Sequence, residues 1–218
     1  MTTTFNKDLA PQLENLNKRL YKLEETENVK NFMTQWALQL DKIEYYKSEE
    51  HALRLANNWM TPDGTFKMPF GVWGPDKKHI VTSFLNFAKD PDVMPGSLPN
   101  PKAEGIKWAV HYYFHQSVEL FENELNEESA CFTAREMVPL MWNGQAKWLF
   151  LDNDSTLKKV DATGDGKKEW RMHEYGLKGI NLVDNTASTW TDLDPKNGAD
   201  IFSFDEERFK RQYGDDSE

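Results

Sequence analysis

One change of hydrophobic period, near Lys107, constrains this chain more than any other feature. Before it, the apolar residues recur mainly at helical spacing, and after it they alternate in long runs. Helices first and a strand-rich second half predict an α+β fold. At 218 residues the chain has the length of one domain with a real core. A strongly curved antiparallel sheet wrapped around the early helices would enclose a cone-shaped cavity, and such a cavity is where chemistry is expected.

The helical part begins with Leu9, Leu13, Leu16, Leu20 and Leu23, spaced four, three, four and three residues apart. This is a heptad seam with charged residues around it. It is too short for a stand-alone coiled coil and is expected to pack across the domain or onto another subunit. Glu25 to Asn28 interrupts the seam, and a second stripe follows through Val29, Phe32, Met33 and Trp36. A further helix fits Ser48 to Trp59, capped by Ser48 and burying Ala52, Leu55, Ala56 and Trp59. Thr61-Pro62-Asp63-Gly64 reads as a turn and Thr65 to Phe70 as a short strand. Asp76 caps a helix that buries Ile80, Phe84 and Phe87. Asp90 to Gly105, with four prolines and two glycines, reads as a lid or interface loop.

Alternation then predicts strands over Trp108–Phe121, Ser129–Met141, Ala146–Leu151 and Lys168–Leu177. Turn residues separate them at Asn123–Glu128, Asn143-Gly144 and Gly164-Asp165-Gly166. After Val183 the chain turns polar, and Ser203 with Glu206 forms a capping box for a short last helix. The expected division is therefore an N-terminal helix with its leucine seam over 1–30, a pocket domain over 31–183, and a polar tail over 184–218.

Charge and composition exclude several roles. The net charge of −10 and the lack of a basic stripe argue against a nucleic-acid partner. Apolar runs are too short to cross a bilayer, and the N-terminus lacks a signal pattern. The single cysteine, Cys131, fits the cytoplasm, and its alternating apolar run predicts a buried, inert thiol. Aromatic residues make up 13%, with eight Trp, enough to line a ligand pocket or an interface as well as to fill a core. The segment from Asp161 to Gly166 imitates a calcium loop, but its twelfth position is Met172, so a hairpin turn is the better reading.

Two features carry possible chemistry. On a strand, His111, Tyr113 and His115 share one face. Such a row consists either of hydrogen-bonded structural groups or of working ones, and two imidazoles without a visible third ligand make a poor metal site. Asp41 closes the apolar stretch Trp36-Ala-Leu-Gln-Leu-Asp41. If it points inward it needs a donor, and an imidazole oriented by a carboxylate becomes a general base near neutral pH.

These features in this order resemble the SnoaL-like branch of the nuclear transport factor 2-like superfamily, a cone-shaped α+β barrel, over roughly residues 10–183. Leu23 to Asp41 is similar to that family's opening helix pair, and Trp59-Met-Thr-Pro-Asp63-Gly64-Thr-Phe66 to its turn into the first strand. Gly74 to Phe84 resembles a helix start, His111 to Leu120 its histidine strand, and Trp170-Arg171-Met172 a late strand. The resemblance implies a lyase or isomerase, dehydratase-like, that uses an Asp–His pair without metal or organic cofactor on a hydrophobic, cyclic or aromatic small molecule. It places Asp41 and His111 at the pair and implies a homo-oligomer, trimer or dimer. Tyr113, His115 and Tyr175 would supply donors, and Trp36, Trp59, Phe66, Trp73 and His173 would line the substrate pocket. The chain departs from the pattern at Trp36, where those lyases carry Tyr or Lys, at His115, where the strand carries Asn, and at Tyr175 or His173, where a late Arg is usual. These departures leave room for a non-catalytic ligand carrier or assembly subunit of the same fold.

Overall fold

A computed structural model describes residues 9–69, 71–93, 97–122, 128–161 and 164–184. The predicted Phe70 strand end, most of the Asn123–Glu128 turn and the tail with its Ser203 capping box lie outside the described residues.

Helix α1 (Leu9–Tyr46) is one continuous element, where the sequence suggested a pair. The break at Glu25–Asn28 is a break in the apolar pattern and not in the backbone. No residue there is Gly or Pro, so nothing stops the helix from propagating. Beyond that point the face of Val29, Met33, Trp36, Leu40 and Ile43 is buried. Helix α2 (Glu49–Asn58) buries Ala52, Leu55 and Ala56, and Ser48 precedes it without a side-chain cap. Strand β1 (Met60–Met68) runs straight through the predicted Thr61–Gly64 turn, with a register irregularity between Met60 and Thr65, and pairs with β2 (Gly71–Trp73). In α3 (Lys77–Lys89) Asp76 caps as expected, accepting from the Lys78 N–H at 3.1 Å.

The second half forms β3 (Ile106–Ala109), β4 (Tyr112–Glu122), β5 (Glu128–Trp142), β6 (Gln145–Val160) and β7 (Glu169–Asp184). The strand order is β2-β1-β7-β6-β5-β3, with β4 also on β5. The sheet is therefore mixed and not purely antiparallel, because β7 inserts beside β1 in parallel, pairing Phe66 with Tyr175. That contact spans more than a hundred residues, so no local pattern announces it. The β5–β6 hairpin turns at Asn143-Gly144, both with positive φ, as the Asn-Gly signal requires.

Irregularities curl the long strands around the helices. Register shifts occur in β6–β7 between Phe150 and Asp152 and between Thr156 and Leu157. At Gly176 a Cβ would lie 2.1 Å from the Asp154 carbonyl oxygen, so only glycine permits that close approach. The concave face meets Trp36, Leu40, Leu55, Ile80 and Phe84 in one apolar core. The Asp90–Gly105 loop is tied down where it is described. Asp90 accepts from the Asn100 N–H at 2.9 Å, and Asp92 accepts from Trp142 Nε1 at 3.1 Å and Asn143 Nδ2 at 2.8 Å. Cys131 is half-buried, not fully buried, with its Sγ 3.6 Å from Asp154 Oδ1. No helix among the described residues is long and apolar enough to cross a membrane.

Candidate active site

The site starts from helical periodicity. Trp36, Leu40, Asp41 and Glu44, at successive spacings of four, one and three residues, turn toward the sheet, so two carboxyl groups enter the interior on an otherwise apolar face.

The opposing histidine is placed by a proline. Pro139 in β5 has no N–H to give, and the neighbouring strand is broken at Val110–His111, between β3 and β4. Val110 donates to the Pro139 carbonyl at 3.2 Å, while the His111 N–H, released from the ladder, donates to Asp41 Oδ1 at 3.1 Å. His111 Nδ1 meets the same oxygen at 2.6 Å. The two side chains are 8% and 1% exposed. Holding both backbone and ring of His111, Asp41 fixes the tautomer and directs Nε2 inward.

Nε2 faces Glu136, 3.8 Å from its Oε1. Glu136 is not among the residues that the family resemblance marks, although its own strand carries a signal for it. The buried positions of β5 alternate as Ala130, Phe132, Ala134, Glu136, Val138 and Leu140, and one acid stands in that apolar row. In β6 Asn153 and Ser155 likewise interrupt the buried row between Leu151 and Leu157. These groups form a chain of hydrogen bonds. Gly176 N–H donates to Ser155 Oγ at 3.3 Å, and Ser155 donates to Asn153 Oδ1 at 2.7 Å. Asn153 Nδ2 donates to Glu136 Oε2 at 3.1 Å, and the Tyr175 hydroxyl donates to Glu136 at 3.0 Å. Tyr113 reaches the Tyr175 oxygen at 3.5 Å. Beside this network, Asp41 Oδ2, Glu44 Oε2 and Trp36 Nε1 are buried with no hydrogen-bond partner among the described residues.

Aromatic rings pack around the pair and its network. Trp36 lies 5.5 Å from both Phe66 and Tyr175, Phe66 lies 5.3 Å from Tyr175, and Tyr113 lies 5.4 Å from Phe132. Trp73 packs one layer further out, 6.1 Å from Phe66. Of the residues singled out in the sequence, Asp41, His111, Tyr113, Tyr175, Trp36 and Phe66 are thus brought together. Three are not. His115 has φ +52° within a bulge between Phe114 and Ser117, which breaks the alternation and leaves it exposed. His173 sits where the β1–β7 and β6–β7 registers shift and turns toward Thr61 Oγ1, 3.2 Å away, and Asp63. Trp59 ends α2 half-buried against Phe32. Among the described residues no three His, Cys, Asp or Glu side chains are grouped to hold a metal ion.

Burial by itself would lower the His111 pKa, but the surrounding Glu44, Asp41 and Glu136 carboxylates outweigh it and raise it to about 10. Burial raises Glu44 to about 7 and also pushes Asp41 and Glu136 upward against the opposing pull of His111. The folded chain therefore holds protons that the unfolded chain has released, on Glu44 between about pH 4.5 and 7 and on His111 between about 6.5 and 10. The His111 contribution is complete below about pH 6.5 and lost as pH rises through about 10, and the Glu44 shift also disfavours folding as pH rises. The melting temperature is expected to fall steadily from pH 6 to pH 10 in a calorimetric series. In His111→Gln the fall above pH 7 should be mostly gone, and an unchanged slope in that variant would assign the protons elsewhere.

No family model and no curated protein matches the sequence. Solved structures are similar over much of the chain. A candidate scytalone dehydratase from Novosphingobium aromaticivorans DSM 12444 is 14% identical, with a TM-score of 0.47 over 75% of this chain and 89% of that one. ActVI-ORFA from Streptomyces coelicolor is 14% identical, with a TM-score of 0.44 over 70% of this chain and 94% of its own. The hexachlorocyclohexane dehydrochlorinase LinA-type3 from Novosphingobium barchaimii LL02 is 11% identical, with a TM-score of 0.41 over 79% and 94%.

Proposed function

We propose that this protein is a cofactor-independent lyase or isomerase that moves protons on a small hydrophobic molecule, cyclic or aromatic. One observation carries the reading. The His111 ring is held between two buried carboxylates, Asp41 on Nδ1 and Glu136 beside Nε2, among aromatic rings.

An elimination or a double-bond shift takes a proton from a carbon next to a carbonyl and returns one to a leaving oxygen or to another carbon. Two groups in opposite protonation states perform both transfers without a cofactor. With Nδ1 committed to Asp41, Nε2 is the working nitrogen. A ring held cationic by three carboxylates starts as the acid, which reverses the role of base expected from the sequence. Glu136, raised by burial, is the matching base. The Tyr113 hydroxyl, 3.5 Å from the Tyr175 oxygen, would donate to the oxyanion of an enolate, while the Tyr175 hydroxyl keeps donating to Glu136. Rings of Trp36, Phe66 and Phe132 select an apolar substrate and exclude water.

The test uses a panel of cyclic β-hydroxy ketones, with the new conjugated double bond followed by ultraviolet absorbance. His111→Gln and Glu136→Gln should each lower turnover at least ~10²-fold while the circular dichroism stays native. Wild-type turnover by folded His111→Gln ends this reading. A second reading, a non-catalytic carrier, draws on the mutual packing of Trp36, Phe66 and Tyr175 over the pair. It predicts that panel members quench tryptophan fluorescence and are recovered unchanged.

A further inference from the structure

The leucine seam of α1 is not absorbed by the domain. Leu9, Leu13, Leu16, Leu20 and Leu23 are 51–68% exposed, whereas Val29, Met33 and Trp36 further along the same helix are fully buried. At about 100° per residue the seam points roughly 160° away from the Glu25, Val29, Met33, Trp36 and Leu40 stripe. The C-terminal end of this half of the helix, at Tyr21 and Glu25, is fastened to the sheet. Tyr21 bonds Glu128, Glu25 accepts from Trp170 Nε1 at 2.8 Å, and Lys159 lies 3.0 Å from Glu25 and 5.4 Å from the Tyr21 ring. The helix is therefore pre-formed and held, with its leucines outward.

We propose that this seam is the contact for a second copy of the chain, in a parallel two-stranded coiled coil. The four-three spacing places Leu13 and Leu20 at one core position of the heptad and Leu9, Leu16 and Leu23 at the other. Flanking charges choose both the partner and its direction. Arg19 precedes a core position and Glu24 follows the next, so in a parallel pair each Arg19 faces Glu24 of the second copy, twice by symmetry. An antiparallel pair sets Arg19 against only Arg19 or Gln12 of the second copy. Glu27 and Lys30 occupy the following core positions and end the seam. The seam continues a helix already anchored at Tyr21 and Glu25, which lowers the usual entropic cost of forming a short coiled-coil helix. The strip is roughly 21 Å long. A pair of such strips lies near the lower edge of stable interfaces, about 1,000 Å², so association is expected in the micromolar range.

Sedimentation velocity of the full chain, from low to high micromolar concentration, tests this. Wild type should pass from monomer to dimer. Leu13→Glu/Leu20→Glu should remain monomeric throughout with unchanged circular dichroism, because both side chains face solvent in the single chain. Arg19→Glu and Glu24→Arg alone should each weaken the dimer about tenfold, and together they should restore it. A monomeric wild type overturns the proposal. So does a monomer in which Lys18 or Lys22 cross-links to Lys196 or Lys210 of the same chain, which would assign the seam to the C-terminal segment. A dimer indifferent to the charge exchanges overturns the parallel register.

Discussion

Asp41→Ala is expected to lower the unfolding free energy by about 3–5 kcal/mol in a urea titration at neutral pH. Asp41 Oδ1 takes two bonds from one residue, the N–H and the ring Nδ1 of His111, at 3.1 and 2.6 Å. Without it the β3–β4 break loses the acceptor for its free amide, and the imidazole stays inside beside Glu44 and Glu136 without its main partner. Removing one member of a buried pair leaves the desolvation of the other unmatched, which is why the single change costs so much. Asp41→Leu combined with His111→Phe should regain part of the lost stability, because the two apolar side chains need no partner while the backbone N–H of residue 111 still lacks its acceptor. That double variant should have no activity, which separates what the pair does for the fold from what it does for chemistry. A loss below about 1 kcal/mol in Asp41→Ala would mean that the pair is solvated, contrary to its burial.

Trp36→Ala is expected to cost a further large amount, about 3–5 kcal/mol, by the same titration. The ring is fully buried and touches three others, Phe32 at 6.3 Å and Phe66 and Tyr175 at 5.5 Å. These come from α1, β1 and β7, elements that cannot all close on the vacated volume. Trp36→Phe should cost less than about 1.5 kcal/mol. It loses some ring volume, yet it also removes an indole N–H that has no hydrogen-bond partner among the described residues. A Trp36→Phe protein as unstable as Trp36→Ala would show that Nε1 is satisfied after all. Tyr175 also packs against Trp36 while donating to Glu136, so the Trp36 variants should disturb the acid network and lower turnover as well.

Local chemistry was legible in the sequence wherever it acts over a few residues. The Asp76 cap, the Asn143-Gly144 hairpin and the apolar face from Val29 to Trp36 each depend on neighbours within one or two turns of chain. Asp41 was marked by standing on an apolar helix and His111 by standing in an alternating run. Glu136 carried the same kind of mark within Ala130–Leu140, and a stricter reading of buried alternation would have found it. The two misplaced histidines share one cause. Alternation assigns faces only while the strand is regular, and one extra residue reverses every later side chain. The bulge at His115 and the shifts around His173 turned both rings away from the site.

Helical and alternating periods alone determined that the chain is α+β, that α1 carries two apolar stripes, and that an acid and a histidine lie among apolar residues. Tertiary structure decided that Asp41 and His111 meet, that Glu136 faces the other nitrogen of the ring, and that β7 lies parallel to β1. It also decided that the leucine seam faces outward. The physical reason is range. Periodicity records which way a side chain points relative to its own element. Contacts from twenty-five to more than a hundred residues apart depend on how the elements pack, and here that packing was set by a proline opposite a broken strand and by bulges that curl the sheet.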